Sequence, residues 1–256
     1  MRRLRKVTSL SALTLALIIA APPVHGATLG KVTKEQFIHG ARRISYYLFV
    51  PKQPTAPASA PLIVLLHGSG RDGSSLIDPW KKLAETEGIV LLAPDAQNSQ
   101  GWDVPGDGPE PLCSLVDHLR QSLPVINARR MYMFGHSAGA VFVLFMAMLE
   151  SDYFAAGALH AGAWRSHDEF ASVETLGRKI PLALTVGDSD RFFPVADVEA
   201  TAEALRKVGV PAQVKVIPSH DHNYYVISSK VNDWAWAALK GYMLSEEPRY
   251  IRRQFQ

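Results

Sequence analysis

The sequence predicts an α/β fold: one domain on a mostly parallel sheet, with helices on both faces and no large cap. Three observations point to it. Continuous apolar runs such as Leu62-Ile-Val-Leu-Leu66 have strand length without polar alternation, the mark of strands covered on both faces. These runs alternate with segments of helical length and pattern. The loops directly after several of them collect the chemistry-bearing residues, and open parallel sheets place their sites at those strand ends. With 256 residues and 47% apolar content, the chain can bury one sizeable core. It contains no internal repeat and no low-complexity tract long enough to link two domains.

The elements follow in order. Phe37-Ile38 and Ile44 to Val50 are β-branched and aromatic, which predicts two strands joined around His39-Gly40. Four prolines between Pro51 and Pro61 mark a surface loop. After the Leu62–Leu66 strand come a helix from about Leu76 to Glu87, a strand from Ile89 to Ala93 and a Gly/Pro-rich loop around Trp102. A helix from about Leu112 to Leu123 leads into a strand beginning near Arg130, and an apolar helix follows as far as Leu149. Ala155 to Leu159 and Ile180 to Val186 read as strands, separated by a loop holding Trp164 and a short helix. Val195 to Lys207 is a helix, Gln213 to Ile217 the last strand and Tyr224 to Leu244 the closing helix.

The N-terminus reads as a targeting segment. Arg2, Arg3, Arg5 and Lys6 precede an apolar stretch from Leu10 to Ala21, and Val24-His25-Gly26 offers a small-residue cleavage site before Ala27. This is the layout of a secretory signal peptide over residues 1–26. The apolar run is shorter than the ~20 residues of a spanning helix and ends at Pro22-Pro23. The expected location is therefore periplasmic or secreted, with no membrane attachment after cleavage. The paired arginines hint at a twin-arginine route. Cleavage removes four basic residues and no acidic ones, leaving 23 basic against 24 acidic side chains and a net charge of −1. No nucleic-acid surface is expected, and Arg249, Arg252 and Arg253 read as a solvated tail. The one cysteine, Cys113, has no partner for an internal disulfide and falls on a helix.

Gly135-His136-Ser137-Ala138-Gly139 has the G-x-S-x-G spacing of a nucleophile elbow, set between the apolar strand and the apolar helix that such a turn requires. Small residues two before and two after the serine let strand and helix approach. A serine hydroxyl needs a base, and the base needs an orienting carboxylate. Gly187-Asp188-Ser189-Asp190 follows one later strand and Ser219-His220-Asp221-His222 the next, so the order is Ser, Asp, His. Asp190 is preferred over Asp188, which sits where the chain turns off the strand. His222 is preferred over His220 because it lies at the loop end, next to Tyr224 and Tyr225. The oxyanion donors expected of this arrangement are the backbone N–H groups of Ala138 and Ser69, the latter in His67-Gly-Ser-Gly70.

Other chemistries share these letters. His220-Asp221-His222 offers two imidazoles at i and i+2 but no third metal ligand nearby, and no metal is expected. Gly68-x-Gly70-x-x-Gly73 with Asp95 some way on matches a dinucleotide fingerprint by spacing. That fingerprint normally opens the first unit of its domain, no helix is expected to start among these glycines, and an exported protein meets little nucleotide. No cofactor is expected. Trp102, Trp164, Phe192 and Phe193 fall on loops at the strand ends that carry the candidate triad, and Trp102, Trp164 and Phe192 are candidate substrate contacts.

With elbow, oxyanion loop and triad order in place, the chain resembles the α/β-hydrolase superfamily. Pro61 to Gly68, Gly135 to Gly139, Gly187 to Asp190 and Ile217 to Tyr225 look like the exported esterases grouped with feruloyl esterases and polyhydroxybutyrate depolymerases. The resemblance covers roughly residues 33 to 244. It implies a serine carboxylic-ester hydrolase working through an acyl-enzyme, with a small-molecule or polysaccharide-linked ester such as a feruloyl or acetyl ester as substrate. Members of that group often carry disulfides and a substrate-binding module; with one cysteine and one expected domain, neither is expected here. An exported serine peptidase would use the same three side chains and stays open, as does a binding protein on the same scaffold. The sequence leaves the oligomeric state open.

Overall fold

The computed structural model describes residues 28–52, 58–104, 106–171 and 177–250. The expected signal peptide over residues 1–26 and the arginines at 252 and 253 lie outside them. The chain opens with an antiparallel hairpin, β1 (Val32–His39) and β2 (Arg42–Phe49), turned at Gly40 with φ +59°. β3 (Ala60–Leu66), α1 (Ser74–Glu87), β4 (Val90–Pro94), α2 (Glu110–Ser122), β5 (Ile126–His136) and α3 (Ala138–Leu149) follow. β6 (Ala156–His160), the five-residue α4 (His167–Ala171), β7 (Leu182–Gly187), α5 (Val195–Lys207), β8 (Ala212–Ile217) and α6 (Tyr224–Leu239) complete it. The eight strands form one sheet in the order β1-β2-β4-β3-β5-β6-β7-β8. β2 runs antiparallel to both β1 and β4, and the pairings from β4 across to β8 are parallel.

The continuous apolar runs are explained by burial on two faces. In β3, Leu62, Val64 and Leu66 face a layer that includes α2, α3 and α5, while Ile63 and Leu65 face α1 and α6. All five are fully buried. α3 presents buried residues around most of its circumference, from Gly139 to Met148, as a helix inside the main layer does. Cys113 is buried on α2, where desolvation pushes its thiol pKa upward. No described helix is long and apolar enough to cross a membrane.

Element ends differ from the sequence expectations where backbone hydrogen bonding decides them. The strand expected from Ile180 begins at Leu182, because Pro181 has no N–H for the ladder, although its carbonyl accepts from Gly157 N–H at 3.0 Å. The closing helix expected to reach Leu244 stops at Leu239. Past Gly241 the chain turns back, and Leu244 is buried, with its N–H on Arg129 O at 2.9 Å. α1 starts at Ser74, directly behind Gly73 and earlier than the expected Leu76.

Topology fixes where a site can form. From β3 the chain winds one way to β4, then crosses to the far side of β3 to lay down β5, so the winding reverses between β3 and β5. Register sets Leu66 opposite Gly135, His136 opposite His160 and Gly187 opposite Ile217. The C-terminal ends of β3, β5, β7 and β8 thus lie along one edge, and a crevice at that edge beside the reversal is the binding position of open α/β sheets.

That edge also buries imidazoles. His136 stacks on His160 with ring centroids 5.7 Å apart, and His160 lies 5.4 Å from His220. His160 Nδ1–H donates to Thr185 Oγ1 at 2.9 Å, whose hydroxyl in turn donates to Leu159 O. Burial lowers the pKa of His136 to about 4 and those of His160 and His220 below the ordinary range. His136 and His160 stay neutral in the fold but protonate in the unfolded chain below pH ~6.5, so the unfolded state takes up more protons and stability falls as the pH falls. Each fully protected imidazole contributes a slope of about 1.4 kcal/mol per pH unit below ~6.5, until the pH reaches its folded-state pKa. Urea unfolding at pH 7 and pH 5 is expected to show a loss of roughly 2–4 kcal/mol on this basis; equal stability at both values would contradict the protected imidazoles.

Candidate active site

The elbow is built by close approach. Ser137 has φ 56° and ψ −119°, a positive φ that costs a non-glycine residue roughly 1–3 kcal/mol and persists only where its surroundings over-determine it. They do so through Gly135 and Gly139. A Cβ on Gly139 would overlap the Leu66 carbonyl oxygen on β3, and one on Gly135 would overlap the Gly139 carbonyl. Strand, neighbouring strand and helix therefore meet with no side chain between them. Ser137 N–H donates to His160 O at 3.1 Å, and Ser137 O accepts from Ala140 N–H at 2.9 Å. Ala138 opens α3, so its N–H belongs to the first helical turn, which has no intrahelical acceptor.

The two later loops deliver the acid and base candidates. Asp190 is buried, and its Oδ1 accepts the N–H groups of Phe192 at 2.8 Å and Phe193 at 2.9 Å. Its Oδ2 lies 2.8 Å from His222 Nδ1, and His222 Nε2 lies 3.0 Å from Ser137 Oγ. An ionised carboxylate only accepts, so Nδ1 carries the proton and Nε2 turns its lone pair to the serine hydroxyl. Phe193 stacks beside His222 at 5.9 Å and Phe192 packs at 4.8 Å. Asp188 points elsewhere: it is exposed and accepts from Ser219 N–H at 3.0 Å and Ser189 Oγ at 2.9 Å. The Ser219 N–H bond, foremost, holds its carboxyl below the ordinary range. His220 is turned under the sheet edge towards His160.

The loop after β3 reaches the serine from the other side. Gly68 backs directly on the elbow, since a Cβ there would lie 3.2 Å from both Ser137 Cβ and His136 Nδ1. His67 fixes the loop's path: its Nδ1–H donates to Gly68 O at 2.9 Å, and its Nε2 accepts from Ala96 N–H at 3.1 Å. Ser69 is exposed at the turn that follows. The dinucleotide-like spacing has a different use, because Gly73 N–H donates to Asp95 Oδ1 at 2.9 Å, and Asp95 also lies 3.5 Å from Lys34 Nζ. Among the described residues, no group of three or more His, Cys, Asp or Glu side chains is arranged to hold a metal ion.

A cavity of about 320 Å3 opens above Ser137, lined by Gly68, Ser69, Arg71, His136, His222 and Tyr225 among others. Of the aromatic residues singled out by sequence, Phe192 is 66% exposed and packs beside His222 but is not among the residues lining the cavity. Trp102 and Trp164 do not line this cavity. Trp102 supports the loop from below: its Nε1–H donates to His67 O at 2.8 Å, and its ring stacks on Phe142 at 5.1 Å. Trp164 is buried against Phe170, with its backbone N–H on Thr201 Oγ1 at 2.9 Å. Sequence reasoning passed over Arg71, whose guanidinium lies 5.0 Å from the Tyr225 ring centroid. It also passed over Asp107, a buried carboxylate that accepts from Arg42 at 2.6 Å, Gln97 N–H at 2.8 Å and Asp103 N–H at 2.9 Å. Asp107 thereby shapes the loop that carries Trp102. The only prior signal was the Gly/Pro content of that loop, which marked it as irregular without saying what holds it.

Comparison with known proteins extends these observations. The dienelactone hydrolase family model matches residues 110–243, just over half of the chain and the part that holds Ser137, Asp190 and His222. A poly(3-hydroxybutyrate) depolymerase of Ralstonia pickettii is 27% identical over 173 residues, covering 57% of this chain and 36% of that protein. The chain spans about a third of the length of the curated relatives it matches. Among solved structures, a ferulic acid esterase superposes with a TM-score of 0.64 at 15% identity, covering 82% of this chain and 98% of that one. The fluorophosphonate-binding serine hydrolase F of Staphylococcus aureus does so with a TM-score of 0.67 at 14% identity, covering 83% and 99%. At such identities the likeness concerns the fold, which is the α/β-hydrolase fold. With that fold and a family match over more than half its length, the chain belongs to the dienelactone hydrolase family.

Proposed function

We propose that this protein is an exported carboxylic-ester hydrolase that works through an acyl-enzyme on Ser137. The observation that carries the reading is the unbroken line from Asp190 Oδ2 through His222 to Ser137 Oγ, with steps of 2.8 and 3.0 Å. His222 Nε2 takes the serine proton as Oγ attacks the acyl carbon, and Asp190 stabilises the imidazolium that forms. The N–H groups of Ser69 and Ala138 hold the oxyanion of the tetrahedral intermediate. His222 then protonates the departing alcohol, and in the second half it activates the water that releases the acid. No step needs a metal or an organic cofactor.

The substrate reading follows from the mouth of the site. His222 and Ser69 are solvent-accessible, Phe192 is exposed beside His222, Tyr225 lines the cavity, and the described part of the β6–β7 connection holds only the five-residue α4. An open, partly aromatic mouth suits bulky aryl esters or acetyl groups, including those carried on a polysaccharide. The polyester and ferulate names among the similar proteins agree with a bulky acid or alcohol partner. Hydrolysis of nitrophenyl acetate and methyl ferulate tests both parts. Both are expected to be turned over, with kcat falling by about 10^4-fold or more in Ser137→Ala. Undiminished activity in that variant would remove the serine mechanism, and turnover of nitrophenyl acetate with feruloyl esters and acetylated polysaccharides all inert would remove the substrate class.

Export rests on the N-terminal sequence: four basic residues, an apolar stretch and a small-residue site before Ala27. N-terminal sequencing of protein recovered from the periplasm or medium is expected to begin at Ala27. Recovery of the full chain with Met1 in the cytoplasm alone would contradict it.

A further inference from the structure

We infer that His136, the residue before the elbow serine, is a positioning residue for the catalytic base. The inference rests on the reading of Ser137 and His222 given above. His136 is buried at 6% exposure, and its Nε2 lies 3.2 Å from the backbone carbonyl oxygen of His222. A carbonyl only accepts, so Nε2 carries the proton and donates it. The same oxygen accepts from Tyr224 N–H at 2.9 Å, so two donors from different elements fix one peptide group. That group carries the His222 side chain. Its imidazole must stay within hydrogen-bond reach of Asp190 on one side and Ser137 on the other, and a displacement near ~1 Å is enough to cost about a hundred-fold in rate.

His136 is itself held on every side. Its ring stacks on Tyr224 at 5.3 Å and His160 at 5.7 Å, meets Tyr225 edge-on at 5.9 Å, and lies 5.0 Å from His222. Its Nδ1 is buried with no hydrogen-bond partner among the described residues and faces Gly68 of the oxyanion loop. One rigid ring therefore separates the loop that binds the oxyanion from the loop that carries the base, and sets the spacing between them. The ring must also be neutral, because a cation here would face the His222 imidazolium that forms during acyl transfer. Burial keeps it neutral, with the His222 and Arg71 charges acting in the same direction, while the hydrogen bond to the His222 carbonyl and the Asp190 charge oppose it. The other titratable groups against it are His160, Tyr224 and Tyr225.

The test compares His136→Leu, which removes the donor, with His136→Gln, whose amide N–H can replace it. Nitrophenyl acetate kinetics are expected to show kcat lowered roughly ten- to a hundred-fold in the leucine variant, with KM within about two-fold, and most of the loss recovered in the glutamine variant. Wild-type kcat in the leucine variant, or equal losses in both, would overturn the positioning role. Ser137→Ala, assayed in parallel, separates this outcome from a failure of the mechanism itself, since that variant must be inactive if Ser137 is the nucleophile. Nitrogen NMR of the histidine rings in the unsubstituted enzyme needs no variant to fold. A neutral His136 with the proton on Nε2 from pH 5 to 8 is expected, and an Nδ1-protonated or cationic ring would overturn the inference.

Discussion

The close contact of β3, β5 and α3 at the elbow is the constraint on which the rest depends. Ser137 holds a positive φ because the helix that follows it is pressed against the Leu66 carbonyl, and only glycine at 139 permits that distance. Removing that contact would remove the force that keeps the serine in a conformation its own side chain disfavours. The contact exists because β3 and β5 are neighbours although β4 lies between them in sequence, so the elbow depends on the same reversal of winding that opens the crevice. Fold and site are in this sense one arrangement.

Around that point the structure devotes much of its buried polarity to holding loops. Asp107 organises the segment before α2, Trp102 from that segment carries the His67 carbonyl, and His67 sets the path of Gly68 and Ser69. On the opposite side Asp190 gathers the N–H groups of Phe192 and Phe193 before it meets His222, and His136 grips the His222 peptide. The hydroxyl, imidazole and carboxylate are held through backbone groups, with the rings of His136, Phe192 and Phe193 packed beside the imidazole. Such holding leaves the mouth free, because the supports lie beneath the three side chains.

Much of this was legible in the sequence, for a physical reason. Strands buried on both faces leave unbroken apolar runs, so β3, β4 and β7 were readable from composition, and the elbow was readable because close packing demands glycine at fixed spacing. The loops bearing Asp190 and His222 could be located because parallel sheets put functional loops after strands. Features set by long-range contact were not legible. Nothing near Trp102 announces that its N–H will support a carbonyl 35 residues earlier, and nothing near His136 announces a bond to a peptide 86 residues later. The end of α6 was overestimated because the Leu244 N–H finds its acceptor on β5, a partner no local pattern reveals.

The central claim is that Ser137 becomes covalently acylated. Intact-protein and peptide mass spectrometry after brief mixing with a fluorophosphonate, or with nitrophenyl acetate under acid quench, reads this directly. One adduct per chain on the peptide containing Ser137, lost in His222→Gln, is the expected result. Turnover of ester with no adduct at Ser137, or with the adduct on another residue, would contradict the account.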